Sequence, residues 1–183
     1  MPNYVRNYLA GGTYFFTVVT QDRRPILTSS IARKLLHDAI AKELKVAPFE
    51  LVAIVLLPAH LHAIWTLPDG DSDYSTRWRR IKERFTRSYL AAGGTEATTT
   101  LNRLAKQERA IWQPRFWEHT IRDEDDHERC FDYLHYNPVK HGMVDKVSEY
   151  SWSTFHKFVR TGLYNADWGC GGEPADVEGA EWD

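Results

Sequence analysis

Three groups of residues in this chain have types and spacings suited to chemistry. The first is His60-Leu61-His62. It sits in an apolar, strand-like run, and residues two apart in a strand point to the same face. Both imidazoles therefore leave the sheet together while Leu61 faces the other side. Two neutral imidazoles side by side can grip one divalent metal ion. Two polar rings in an apolar central strand also need a reason, because unpaired buried polar groups are costly. The second group is Tyr133-Leu134-His135-Tyr136-Asn137-Pro138. On a helix Tyr133 and Asn137 are i and i+4, so a phenol and an amide project together. Tyr136 lies about 100° round the helix from Asn137 and is less well placed. Packing alone would also account for this stretch, since Cys130, Phe131 and Leu134 need a core that tyrosines often flank.

The third group is a run of cations. Arg77, Arg79, Arg80, Lys82, Arg84 and Arg87 stand against one acid, Glu83, between residues 76 and 92. Arg77, Arg80, Arg84 and Arg87 follow helical spacing and form a stripe; a plain solvated face would account for it, but the net +5 of the segment favours a surface that tracks phosphates. The aromatics Trp78, Phe85, Trp112, Phe116 and Trp117 could stack on unpaired bases or equally be core, and Phe85 reads as core. Together the three groups describe one reaction. A metal held by two histidines and an amide oxygen can polarise a phosphodiester. A tyrosine beside it can attack phosphorus, giving a covalent phosphotyrosine and a free hydroxyl on the leaving strand. A free tyrosine has a pKa of about 10, so the nucleophile needs nearby positive charge or a proton acceptor. His135 and His119 are both candidates for that acceptor.

The elements that must position these residues are legible from local patterns. Gly11-Gly12 turns into a strand over Thr13–Thr20, rich in β-branched and aromatic residues. A helix capped at Thr28-Ser29-Ser30 carries Ile31, Leu35, Leu36, Ala39, Ile40 and Leu44 on one face. Phe49–Leu57 reads as a buried strand and His60–Leu67 as its antiparallel hairpin partner, closed by Pro68-Asp69-Gly70. Ser75 or Thr76 caps a helix that runs to about Ala92 and stops at Gly93-Gly94. Residues 93–109 read as a surface insertion. Ile111–Ile121 reads as a further or edge strand limited by Pro114. Asp123 caps a helix to about Asn137, stopped by Pro138, and Ser151–Val159 reads as a short helix or an ordered arm. The order implies an α+β domain: a single antiparallel, ferredoxin-like (RRM-like) sheet with helices packed on one face.

Composition bounds the function class. The chain has 183 residues, 23 basic and 25 acidic, for a net charge of -2. Six of the acids (Asp167, Glu173, Asp176, Glu178, Glu181 and Asp183) fall after Tyr164, where there is no Lys or Arg. Residues 1–164 thus form a basic domain, and 165–183 an acidic tail expected to be flexible. No run reaches the roughly 18–20 apolar residues of a membrane span, and the N-terminus lacks a secretory pattern. Cys130 and Cys170 form no CxxC, which suggests reduced thiols, no Cys-based zinc site and a cytoplasmic protein.

The chain resembles the single-tyrosine HUH transposases, in the branch called REP-associated tyrosine transposases. The resemblance rests on Gly12-Thr13-Tyr14-Phe15-Phe16-Thr17-Val18, on Leu57-Pro58-Ala59-His60-Leu61-His62-Ala63-Ile64-Trp65, on Trp112-Gln113-Pro114-Arg115-Phe116-Trp117-Glu118-His119, and on Tyr133 with Asn137-Pro138-Val139-Lys140-His141-Gly142. These segments keep the family's order over most of residues 4–160. The resemblance implies an HUH fold, with the histidine pair on a central strand and the tyrosine on a flanking helix. It implies cleavage and joining of single-stranded DNA through a 5′-phosphotyrosine, with Mg²⁺ or Mn²⁺. It makes His60 and His62 metal ligands, Asn137 an amide-type third ligand and Tyr133 the nucleophile. Arg115, inside one of these segments, joins Arg77, Arg80, Arg84 and Arg87 as a DNA-binding candidate. The implied partners are palindromic REP hairpins with a short single-stranded foot, bound by a monomer or homodimer without a membrane. Imidazole favours Mn²⁺ over Mg²⁺, so Mn²⁺ is expected to bind more tightly. Two other classes compete. A non-catalytic REP or single-stranded nucleic-acid-binding module would fit the strand order but has no use for the histidine pair and Tyr-x-x-x-Asn. A cupin-like metal hydrolase would carry a Glu shortly after the second His, where Ile64 to Pro68 stand here.

Overall fold

The residues 6–99, 105, 109–174 and 177 are described by a computed structural model. In chain order the elements are β1 (Thr13–Val19), α1 (Ser30–Val46), β2 (Glu50–Leu56), β3 (His60–Thr66), α2 (Tyr74–Ala91), β4 (Trp117–Thr120), α3 (Glu124–Lys140) and α4 (Phe155–Arg160). The strands form one antiparallel sheet in the order β2-β3-β1-β4. The expected α+β class with a single antiparallel sheet is the one observed. The strand that carries the histidine pair lies inside it, bonded to a neighbour on each edge.

The helices cover both faces of the sheet rather than one. Strand alternation divides the interior into two clusters. Tyr14, Phe16 and Val18 of β1 and Leu61, Ala63 and Trp65 of β3 pack with α1 and α2. Phe15 of β1, Ile64 of β3 and Ala53 and Val55 of β2 pack with α3 and α4. On the first face Trp65 stacks on Trp78 of α2, with ring centres 4.2 Å apart. A two-sided sheet explains why β1 and β3 read as nearly continuous apolar runs. β2 differs from its expected buried state because it is the edge strand. Its outer edge is covered by the chain around Ser153: Leu56 N donates to Trp152 O at 2.8 Å, and Thr154 N to Ile54 O at 2.9 Å. That cover satisfies backbone groups which would otherwise template further pairing.

Other boundaries also moved for identifiable reasons. Asp73, not Ser75 or Thr76, caps α2 by accepting from Thr76 N at 2.9 Å. The strand expected over 111–121 shortens to Trp117–Thr120, with Trp112 making only an isolated bridge to Thr20. Pro138 does not end α3. In the last turn it costs only its own bond to the Leu134 carbonyl, and the helix continues to Lys140. Gly142, with φ +64°, makes the turn that follows. Within 93–109, residues 94–99 are irregular, and Ala97 N bonds Ala110 O at 3.0 Å; residues 100–104 and 106–108 lie outside the described set. Described residues of the acidic segment fold back on the domain: Trp168 packs on Tyr164 with ring centres 4.5 Å apart, and Val177 is buried.

Arg77 belongs to this framework. It is 4 % exposed, and all five of its N–H donors are engaged. Nε donates to Ala47 O, Nη1 to Asp71 Oδ1 and Asp73 O, and Nη2 to Pro48 O and Asp71 Oδ2, at 2.5–3.1 Å. It ties the start of α2 to the end of α1. Arg77→Ala is therefore expected to destabilise the fold by about 3 kcal/mol, through lost charged hydrogen bonds and stranded acceptors. Urea unfolding of the variant would check this, and unchanged stability would contradict the assignment.

Candidate active site

β3 and α3 build the site between them. His60 and His62 project from β3 toward α3, with ring centres 5.0 Å apart. They are 3 % and 0 % exposed. The register sets Thr17 of β1 opposite His62, and Thr17 Oγ1 lies 2.9 Å from His62 Nδ1. That contact orients the ring, as such second contacts do around metal-binding imidazoles. α3 begins under the Asp123 cap and passes across this face of the sheet. Tyr133 meets His62 edge-on, with ring centres 5.6 Å apart, and Phe15 at 6.0 Å. Asn137 lies one turn further along the same face and is fully buried. The expected His60, His62 and Tyr133 thus meet between sheet and helix, and helix spacing sets the expected Asn137 one turn from Tyr133 on the same face.

The donor set fits a divalent ion. Both side-chain amide atoms of Asn137 are buried with no hydrogen-bond partner among the described residues. A buried amide in that state is costly unless something else takes its oxygen. Two imidazoles and an amide oxygen would hold an ion of the Mn²⁺ or Mg²⁺ class, with imidazole favouring the former. Two residues at the end of α3 complete the surroundings. Lys140 Nζ lies 4.7 Å from the Tyr133 ring centre, and the His141 ring 5.2 Å from that of His60. Sequence spacing did not single out Thr17, Lys140 or His141. Lys140 is i+7 from Tyr133, a helical signal that was available, whereas Thr17 needs the strand register.

The two histidines considered as proton acceptors prove to be otherwise engaged. His135 is on α3 but faces away from the site: Nδ1 lies 2.9 Å from Phe131 O and Nε2 3.0 Å from Thr154 Oγ1. Burial lowers its pKa from the ordinary 6.5 to about 3, so it is a neutral structural group. His119 Nε2 lies 2.9 Å from both Asp126 oxygens.

The cationic stripe on α2 is redistributed. Helical spacing is also the spacing of a helix's inner face, and Arg77, Arg80 and Arg84 lie with the buried Tyr74, Trp78, Ile81 and Phe85. Arg77 is consumed inside the fold. Arg80 and Arg84 pair with Glu43 of α1, itself 0 % exposed. Of the predicted DNA-binding arginines, Arg87 and Arg115 are the two open to solvent. Arg87 lines a groove of about 700 Å³ with Arg6, Arg79, Lys82, Arg109 and Phe116. Arg6 stacks its guanidinium 4.2 Å from the Phe116 ring centre. This groove, built from the outer face of α2 and the chain before β4, is the basic surface that the stripe only approximated.

The state of His135 has a measurable consequence. Its folded pKa is below its unfolded value, so its contribution to stability is present above about pH 6.5 and is lost as pH falls toward 3. Lowering the pH from 7 to 5 should cost about 2 kcal/mol through this one group, at 1.36 kcal/mol per unit below 6.5. His135→Gln should show a correspondingly smaller drop in denaturant unfolding over the same interval. Equal drops would contradict the assignment.

The comparisons with known proteins agree with this geometry. No family model matches the chain. It is 45% identical over 181 residues to the REP-associated tyrosine transposase of Escherichia coli (strain K12), covering 99% of this chain and 98% of the relative. It is 42% identical over 170 residues to a "Putative REP-associated tyrosine transposase" of Haemophilus influenzae, covering 92% and 94%. A solved REP-associated tyrosine transposase bound to a REP hairpin superimposes with a TM-score of 0.80 at 43% identity, over 100% of this chain and 96% of that one. With a sheet that sets a histidine pair against a tyrosine-bearing helix, and with relatives this similar over their full length, the chain belongs to the REP-associated tyrosine transposases.

Proposed function

We propose that this chain is a metal-dependent single-stranded DNA endonuclease and strand transferase acting on REP-type hairpins through a 5′-phosphotyrosine at Tyr133. The observation that carries the reading is the shared burial of His60, His62, Tyr133 and Asn137 between β3 and α3. The solved relative bound to a REP hairpin supplies the substrate class.

A Mg²⁺ or Mn²⁺ ion held by His60, His62 and Asn137 would supply Lewis-acid polarisation of the scissile phosphodiester. Thr17 keeps the His62 ring in its ligating orientation. The Tyr133 oxygen attacks phosphorus as the phenol proton passes to water that enters with the DNA once neighbouring side chains shift. The bond from phosphorus to the leaving 3′ oxygen breaks, and that oxygen takes up a proton. The DNA 5′-phosphate is then esterified to Tyr133, and attack by a 3′-hydroxyl reverses the step without an external energy source. Lys140 places positive charge near the ring, where it stabilises negative charge developing on the phenol and phosphate. Tyr133 is 0 % exposed, so a phosphate reaches it only when neighbouring side chains shift.

The basic groove lies on the α2 face and the tyrosine on the α3 face. β4 is the edge between them, with Phe116 packed toward α2 and Trp117 toward Phe15 on the other side. A single strand held in the groove by Arg87 and Arg6 reaches the tyrosine by passing round that edge, where Arg115 is exposed.

A labelled REP hairpin with single-stranded flanks, incubated with the protein, should give a covalent adduct with Mn²⁺ or Mg²⁺. EDTA and Tyr133→Phe should each abolish it, and Mn²⁺ should bind more tightly than Mg²⁺. Tight hairpin binding with no adduct on any flank would instead favour the binding-only alternative. Arg87→Ala should weaken hairpin binding and lower the slope of log affinity against log salt by about one. An unchanged slope would remove Arg87 from the DNA path.

A further inference from the structure

A second cluster of donors lies further toward the N-terminus of α3, on the same side of the sheet. Asp126 and Cys130 are one turn apart on one helix face, with Tyr133 roughly a turn beyond. β4 brings His119 to meet them from the sheet edge. A His119 ring nitrogen, an Asp126 carboxylate oxygen and Cys130 Sγ all lie within 4.8 Å of one another. Cys130 is fully buried and Asp126 is 5 % exposed, while the His119 side chain keeps 22 % of its surface. We propose that His119, Asp126 and Cys130 form a second divalent-metal site, of the thiolate-accepting class represented by Zn²⁺, separate from His60, His62 and Asn137.

Three features favour an ion over a simple His–Asp pair. First, the donors come from a strand and a helix, rigid elements whose side chains already converge. Second, the carboxylate is itself oriented from outside: Arg122 N donates to Asp126 Oδ2 at 3.0 Å and Arg122 Nε approaches it at 3.5 Å. Supports of this kind are what ligating carboxylates show. Third, a buried thiol faces a carboxylate. Burial, and then the charge of Asp126, push the Cys130 thiol up, a cost that the metal–sulfur bond has to exceed. A bound ion would convert the thiol to a thiolate, forming a metal–sulfur bond and releasing one proton to solvent.

The chemistry of the donors separates the two sites. Mg²⁺ prefers all-oxygen shells and has no use for a thiolate, whereas Zn²⁺ takes Cys, His and Asp in one tetrahedral shell. Three protein ligands leave the fourth position on the exposed His119 side. An ion there would pin the four-residue strand β4 to the helix that carries Tyr133.

The test uses the full chain with His60→Ala and His62→Ala, so that the first site is silent. Co²⁺ should bind in one equivalent with a thiolate-to-metal charge-transfer band, Zn²⁺ should displace it, and excess Mg²⁺ should not. Cys130→Ser in that background should abolish the band. It should also weaken Zn²⁺ by at least about a hundredfold, the upper end of what loss of a mere outer support costs. His119→Gln leaves the buried cysteine in place and should weaken Zn²⁺ comparably, which guards against a folding defect in Cys130→Ser. Zn²⁺ should raise the melting temperature of the parent and not of these variants, and its affinity should rise with pH. Absence of the band at saturating Co²⁺, or Zn²⁺ affinity unchanged in both variants, overturns the proposal.

Discussion

The structure depends on the burial of β3 on both faces and its pairing on both edges. On one face Leu61, Ala63 and Trp65 enter the core with α1 and α2. On the other, His60, His62 and Ile64 meet α3, while β1 and β2 hold the backbone from either side. An imidazole pair in such a strand cannot swing away or slip in register, because a one-residue slip would send the histidines into the apolar face and Trp65 out of it. The histidines gain a fixed separation from this and lose solvent. Loss of solvent is acceptable for the nearby Asn137 amide only if its oxygen acquires a polar partner.

The second element of the site follows from the first. α3 crosses the face that β3 presents and aligns Tyr133 and Asn137 by simple i, i+4 geometry. Phe15 and His62 hold the tyrosine ring by edge contacts, and Thr17 holds His62, so the neighbouring strand supports both groups. Placing the site on a strand and a helix, rather than on loops, is how a constellation keeps its geometry without a ligand present. The same crossing turns His135 to the far side of α3, into the cluster with Phe158 and Tyr164, where its ring serves packing.

What the sequence disclosed was whatever depends on a local period. The histidine pair on one strand face, the Tyr-x-x-x-Asn pair on one helix face and the antiparallel hairpin between β2 and β3 all follow from periods of 2 and 3.6 residues. What it misread depends on which face meets which neighbour. The arginine stripe at helical spacing is real, but that spacing equally describes a buried face, and Glu43 on another helix draws Arg80 and Arg84 inward. Apolar content alone cannot tell the edge strand β2 from an interior one, since a returning segment covers its edge. Pro138 looked terminal because a proline's cost was placed mid-helix, whereas it falls in the last turn. The Thr17–His62 contact and the groove behind Phe116 belong to register and tertiary packing, and no local pattern announces them.

The most direct test of this account locates the covalent bond itself. After reaction with a REP hairpin and Mn²⁺, the protein would be digested and the nucleotide-bearing peptide sequenced by mass spectrometry. Two tyrosines compete on α3, Tyr133 and Tyr136, both buried. The account places the 5′-phosphate on Tyr133, the ring set against His62. A phosphate on Tyr136 or on any other residue would contradict the arrangement of strand, helix and nucleophile argued above.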